Sequence, residues 1–248
     1  MSAIIQVNGL RKVYKGNALP VLKGIDMEIS KGEFFGLLGP NAAGKTTLIS
    51  ILCGLLKITH GKVLIQGMDV VTHHAEICEL IGLIPQEIAL YPTLTVRENL
   101  RFFGMMYGMR RKELEPRIEE CLDLLKLQPH ADKRVANCSG GIRRRTNLMC
   151  GLIHKPEIIF LDEPTLGVDA QSMNLIYEYL KELNASGTTI IYTTHYMKEA
   201  ENLFSRVTII DDGIIIANGT PAVLIQENPG CRDLGEVFIK LTGRDLRD

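Results

Sequence analysis

No apolar run in this chain is long enough to cross a bilayer: stretches such as Ile49 to Leu56 fall far short of the roughly 20 residues a spanning helix needs. The opening residues, Met1-Ser2-Ala3-Ile4-Ile5-Gln6, lack a basic stretch followed by an apolar one, so no signal peptide is expected. An excess of charge of one sign is missing too. Lys plus Arg (28) nearly balances Asp plus Glu (29), and a net charge of −1 leaves no global basic footprint for nucleic acid. The six cysteines lack metal-ligand spacing, and 248 residues are too many to need disulfide staples, which points to free thiols in a reducing compartment. These absences imply a cytoplasmic protein that can act on a membrane only through a partner. What remains, 46% hydrophobic and 23% charged residues, suits one large domain, or a core with a sub-domain, around a proper apolar centre.

The strongest stretch is Gly39-Pro40-Asn41-Ala42-Ala43-Gly44-Lys45-Thr46-Thr47, which fits G-x-x-x-x-G-K-[ST] in full. Phe34 to Leu38 reads as a buried strand entering the loop, and Thr47 to Leu56 as a helix leaving it. A triphosphate needs several backbone N–H groups free of obstructing side chains, and the helix N-terminus adds partial positive charge. Lys45 is placed to act as a point charge between the terminal phosphates, and Thr46 to offer its hydroxyl to Mg²⁺.

A second signal is Ile158-Ile159-Phe160-Leu161-Asp162-Glu163-Pro164, an apolar strand ending in two acids. A buried strand that finishes on Asp needs a reason for the charge, and Mg²⁺ beside a triphosphate supplies one. Adjacent strand residues face opposite sides, so Asp162 is assigned to the metal and its waters and Glu163 to polarising the attacking water. Thr188 to Thr193 reads as another buried strand, delivering Thr194-His195 to the edge of the sheet where α/β sites lie.

Weaker features fall between these. The first thirty-odd residues read as short strands (Ile4–Val7, Lys12–Tyr14, Ile25–Ile29) of a small antiparallel sheet, with turns at Gly9, Gly16, Asn17, Gly24 and Gly32. Tyr14 is either a half-buried sheet tyrosine or a platform for a purine. Gln86 ends the strand Ile81–Gln86, either as a surface amide or as a reach into the site. From Thr95 to Lys126 the pattern is helical, with a Thr95/Glu98 capping box and Pro116 opening the next helix. Within it, Phe102 to Tyr107 reads as core packing or as an adaptable docking surface. Ser139 can cap a helix whose N–H groups Gly140 and Gly141 leave bare. The cations Arg143, Arg144 and Arg145 in that first turn oppose the macrodipole unless an anion or carboxylate lies near. Asp169 precedes a helix from about Ala170 to Asn184, and Asp211-Asp212-Gly213 turns a closing hairpin.

In this order the motifs resemble those of the ATP-binding cassette of ABC transporters, over almost the whole chain. The resemblance makes Tyr14 the adenine-stacking aromatic, Gly39 to Thr47 the Walker A loop and Gln86 the Q-loop residue that reaches metal and attacking water. It makes Ser139-Gly140-Gly141 the signature, Asp162 and Glu163 the Walker B pair, Asp169 the D-loop and His195 the switch. Ser139 to Arg145 and the tail Val237 to Arg244 are similar to the branch that powers drug, polysaccharide and other exporters with separately encoded membrane subunits. The implied fold is α/β: a P-loop NTPase (RecA-like) core with an antiparallel β sub-domain (about 1–86 and 156–220), an inserted helical sub-domain bearing the signature (about 87–155) and a C-terminal tail (about 221–248).

The resemblance further implies ATP and Mg²⁺ as cofactors, membrane-spanning permease subunits as partners, and a second cassette, identical or related, docked head to tail. Each ATP would then lie between one chain's Walker A loop and the other's Ser-Gly-Gly, with no nucleic acid involved and the protein held at the cytoplasmic face of the membrane. Three residues depart from the family pattern. Ala42 stands where Gly is usual, at a cost of roughly 1–2 kcal/mol if its φ is positive. Cys138 and Ile142 replace the commoner Leu and Gln around the signature. The rival readings are a soluble ABC ATPase acting on DNA or ribosomes, for which a coiled-coil insert or second cassette is absent, and a regulatory cassette without efficient turnover.

Overall fold

The computed structural model describes residues 3–16 and 18–243. The turn expected at Asn17, the opening Met1-Ser2 and the end of the tail from Arg244 lie outside the described residues. The chain begins with β1 (Ala3–Lys12), β2 (Leu22–Ser30) and β3 (Phe34–Leu38), followed by α1 (Lys45–Leu52), β4 (His60–Ile65), β5 (Met68–Asp69), α2 (His74–Leu80) and β6 (Ile81–Ile84). Helices α3 (Val96–Met106), α4 (Arg111–Leu124) and α5 (Gly140–Leu152) come next. Alternation then resumes with β7 (Ile158–Asp162), α6 (Ala170–Ala185), β8 (Thr189–Thr194), α7 (Met197–Leu203), β9 (Arg206–Asp211) and β10 (Ile214–Gly219), and α8 (Pro221–Gln226) and α9 (Leu234–Thr242) close the described chain.

Strands with no polar face lie in the middle of a sheet covered on both sides. All residues of β3, β7 and β8 are buried, and they form the centre of a six-stranded sheet ordered β10-β9-β3-β8-β7-β6, parallel except for the β9–β10 hairpin. Strands with alternating burial make a four-stranded antiparallel sheet, β2-β1-β4-β5. One apolar core lies between the two sheets around α1. The other joins the opposite face of the larger sheet to α3, α4 and α5, which interrupt the strand–helix alternation as a helical block. All six cysteines are unpaired thiols.

Several local expectations shift. β1 is one strand, not two separated by a turn at Gly9. Gly9 (φ 55°) sits in a bulge between Val7 and Leu10, and its N–H is taken by the Asp26 carboxylate at 2.6 Å, so pairing with β2 continues past it. Gly24 likewise lies inside β2, and Tyr14 falls beyond the end of β1. α1 starts two residues early and stops at Leu52 rather than Leu56. Gly54 (φ 72°) ends it: the Gly54 N–H bonds the Ile51 carbonyl at 2.9 Å and the Leu55 N–H the Ser50 carbonyl at 2.8 Å, the paired closure of a Schellman motif. Pro116 does not open its helix. α4 begins at Arg111, and the missing N–H of Pro116 leaves the Lys112 carbonyl on an exposed face where water can take it. The Thr95/Glu98 capping box forms with both reciprocal bonds. The aromatic run divides: Phe102 and Phe103 are half-buried against Tyr91, whereas Met105 (64% exposed) and Met106 (70%) face outward.

Candidate functional site

Four C-terminal strand ends of the larger sheet meet at one edge, as parallel pairing requires: β3 running into the loop 39–44, β6 into Gln86, β7 into Asp162 and Glu163, and β8 into His195. A cleft of about 350 Å³ opens there, lined by Val21, the segment Asn41 to Thr47, Gln86 and Glu163. The loop leads directly into α1, whose first residue is Lys45. The loop backbone and the helix terminus make this edge attractive to an anion.

The Lys45 side chain is buried. Its Nζ donates to the carbonyls of Gly39 (2.8 Å) and Pro40 (3.2 Å) and stands 3.7 Å from Glu163 Oε1. Burial pushes the ammonium's pKa down, against the pull of Glu163 and Asp162. Glu163 is the hub of the cleft. Besides Lys45, its Oε2 accepts from Gln86 Nε2 at 3.3 Å, and Oε1 lies 3.2 Å from His195 Nδ1, close enough for an ion pair with a protonated ring though not aligned as a hydrogen bond. Its backbone is left-handed (φ 47°), which turns the carboxylate out of the β7 line toward the loop.

Asp162, 4% exposed, pairs in register with Thr193 of β8, and the Thr193 hydroxyl donates to Asp162 Oδ1 at 2.6 Å while accepting the Glu163 N–H at 3.0 Å. One threonine thus orients both acids. It was missed from the sequence, where a Thr at a strand end reads as ordinary β propensity. The Tyr14 hydroxyl lies 3.1 Å from Thr47 Oγ1, so the half-buried aromatic does reach the start of α1. The cleft and its rim therefore gather Tyr14, Asn41 to Thr47, Gln86, Asp162, Glu163 and His195. Val21 also lines it, with no sequence signal. Ala42 has φ 65°, so the strained conformation anticipated for it is present.

Ser139-Gly140-Gly141 and Asp169 form a second group outside the lining of this cleft. Ser139 caps α5 by accepting the Ile142 N–H (3.4 Å), and Asp169 caps α6 by accepting the Ser172 N–H (2.9 Å). The two helix starts abut at Gly141, where a Cβ would lie 2.3 Å from Asp169 Oδ2 and from Ser172 Oγ. Cys138 and Ile142 are both buried beside it. The conflict expected from three cations in the first turn is relieved by carbonyls and, for Arg145, by the nearby Asp169 carboxylate as well. Arg144 donates to the carbonyls of Gln86 (2.7 Å) and Leu166 (3.3 Å), Arg145 donates to that of Leu125, and only Arg143 is a solvated cation.

Known proteins resemble this chain over most of its length. A family model described as "ABC transporter" matches residues 22–166. A linearmycin resistance ATP-binding protein of Bacillus subtilis is 44% identical over 240 residues, covering 96% of this chain and 75% of that protein. A Nod factor export ATP-binding protein of Cupriavidus metallidurans is 40% identical over 238 residues, covering 96% and 78%. Among solved structures, a dimeric ATP-binding cassette in a post-hydrolysis state with ADP and Pi superimposes with a TM-score of 0.80 at 28% identity, covering 87% of this chain and 98% of that one.

Proposed function

Because this chain belongs to the ABC transporter ATP-binding family, we propose that it is the ATP-binding and ATP-hydrolysing subunit of a membrane exporter. The observation that carries the reading is Glu163, whose carboxylate faces Lys45, Gln86 and His195 at the mouth of the phosphate-loop cleft. Binding begins with the loop N–H groups of residues 39 to 47 on the triphosphate, Lys45 on its terminal phosphates and Tyr14 against the adenine. Glu163 then orients a water and accepts its proton as the water attacks the γ-phosphorus, the bond from that phosphorus to the β–γ bridging oxygen breaks to release ADP and phosphate, and His195 stabilises the charge gathering on the γ-phosphate.

Thr46, Gln86 and Asp162 offer oxygen donors only, a set that suits a hard cation taking its other ligands from phosphate and water. Among the described residues no group of three His, Cys, Asp or Glu is placed to hold a metal. Mg²⁺ there would neutralise charge between the phosphates.

The signature group Ser139-Gly140-Gly141 serves the ATP of a second copy or a related cassette, docked head to tail, with Asp169 at the same junction. Its position outside the cleft of its own chain supports this, as does the dimer seen for the ADP-bound relative. The core with β sub-domain spans about 1–86 and 156–220, the helical sub-domain about 87–155 and the tail about 221–248. No helix among the described residues is long and apolar enough to cross a membrane. On this reading the cassette is held at the cytoplasmic face by a membrane-spanning permease partner. The outward-facing Met105 and Met106 and the Tyr91–Phe102 pair offer it an adaptable apolar surface. Glu163→Gln is expected to bind ATP as tightly as the parent and to lose steady-state ATPase activity; full hydrolysis by the variant would remove Glu163 from its role.

A further inference from the structure

One buried carboxylate in this fold belongs to no motif. Glu199 lies on α7, four residues after His195, and is 8% exposed. Its Oε1 accepts the Thr165 hydroxyl at 2.8 Å and the Tyr177 hydroxyl in a short contact, and Thr165 Oγ1 also lies 3.0 Å from the Tyr192 hydroxyl. Glu199 Oε2 is buried with no hydrogen-bond partner among the described residues. Keeping a carboxylate there is costly, and a purely apolar filler would avoid that cost.

Its partners are not scattered. Thr165 stands two residues after Glu163, inside two successive turns closed by the Leu166 N–H on the Glu163 carbonyl (3.3 Å) and the Val168 N–H on the Thr165 carbonyl (3.2 Å). Tyr177 lies on α6, the helix those turns lead into, and Tyr192 lies on β8, three residues before His195. Both segments that leave the cleft, one behind Glu163 and one behind His195, therefore meet on a single oxygen. Among the described residues, no hydrogen bond of the network reaches the phosphate loop.

We infer that Glu199 is a positioning residue: through Thr165 it ties the turn behind Glu163 to the helix behind His195, so that the carboxylate and the imidazole keep one spacing across the cleft. The inference rests on the roles proposed above for Glu163 and His195. Loosening the tie leaves nucleotide contacts in place and disturbs only the arrangement that the reaction needs.

The test compares Glu199→Ala, Glu199→Gln and the near-isosteric Thr165→Val by steady-state ATPase kinetics and by hydrogen exchange. We expect Thr165→Val and Glu199→Ala each to lower kcat by about fivefold or more with KM for ATP within about twofold. Glu199→Gln, whose amide oxygen still accepts both hydroxyls, should keep at least about half of the parent's kcat. The Leu166 and Val168 amides should exchange about tenfold faster in Thr165→Val and Glu199→Ala, while the Leu48 amide in α1 stays within about twofold. If Glu199→Ala folds poorly, Thr165→Val carries both measurements. An unchanged kcat in Thr165→Val, a loss mirrored by KM, or a Glu199→Gln as impaired as Glu199→Ala would overturn the inference. An inactive parent protein would count against the proposed function instead, and unchanged exchange at Leu166 and Val168 would then overturn the tie by itself.

Discussion

Replacing Ala42 with glycine isolates the one irregularity of the phosphate loop. At φ 65° the Ala42 Cβ crowds the following carbonyl, a conflict of about 1–2 kcal/mol in the folded state. The residue is exposed, so its methyl offers no packing to set against that strain. Ala42→Gly relieves it, while the freer glycine stabilises the unfolded chain by about 0.4–1 kcal/mol. The difference leaves a net gain of about 0–1.6 kcal/mol, or a rise in melting temperature of up to roughly 6 °C for a chain of this size. Urea denaturation at fixed slope measures the first and calorimetry the second. A loss of stability above about 0.5 kcal/mol would refute the reasoning, because it would mean that the left-handed conformation is not a burden on the native loop.

Other outcomes follow from buried polar groups. Arg117 donates to the carbonyls of Leu152 (2.9 Å) and Ile153 (3.0 Å) at the C-terminal end of α5, and Arg117→Lys loses the planar fork that serves both. Denaturation should report a loss of about 1–3 kcal/mol, and a loss under about 0.5 kcal/mol would show that water replaces the fork freely. His154 stacks on Tyr107 with ring centroids 3.6 Å apart, and burial holds its pKa below the ordinary 6.5, with Arg117 pushing the same way against the bond the ring donates to the Ile81 carbonyl. Between its folded and unfolded pKa values the unfolded chain binds more protons, so stability is level above about pH 6.5 and falls as the pH drops below it. His154→Gln should flatten that part of a melting-temperature profile taken from pH 8 to 5, and an unaltered slope would assign the dependence elsewhere.

The site was legible in the sequence wherever chemistry and local pattern coincide. The loop 39–47 carries its own spacing, and the apolar run into Asp162 states both a strand and a buried charge. The hairpin at Asp211 to Gly213 is set by two positive φ angles in succession, and the Thr95/Glu98 box by side chains three residues apart. Features fixed by distant partners were not legible. The placing of β3 between β8 and β9 depends on pairing across some 150 residues of chain, and nothing in Arg144 foretells that its guanidinium will seek the carbonyls of Gln86 and Leu166. Gly9 illustrates the ambiguity of a single residue type. Turn and bulge ask the same of its backbone, and only the Asp26 side chain and the unbroken pairing with β2 decide between them.

The left-handed backbone of Glu163 bears on how such a protein can change over time. A non-glycine residue held there costs about 1–3 kcal/mol, and the carboxylate is the only evident return. Asparagine or glycine at position 163 would fold more comfortably and abolish the proposed chemistry. Random substitution under a demand for robustness alone would therefore drift toward an inert, sturdier cassette, and a laboratory screen that selects only for heat tolerance should recover changes at this position among its winners.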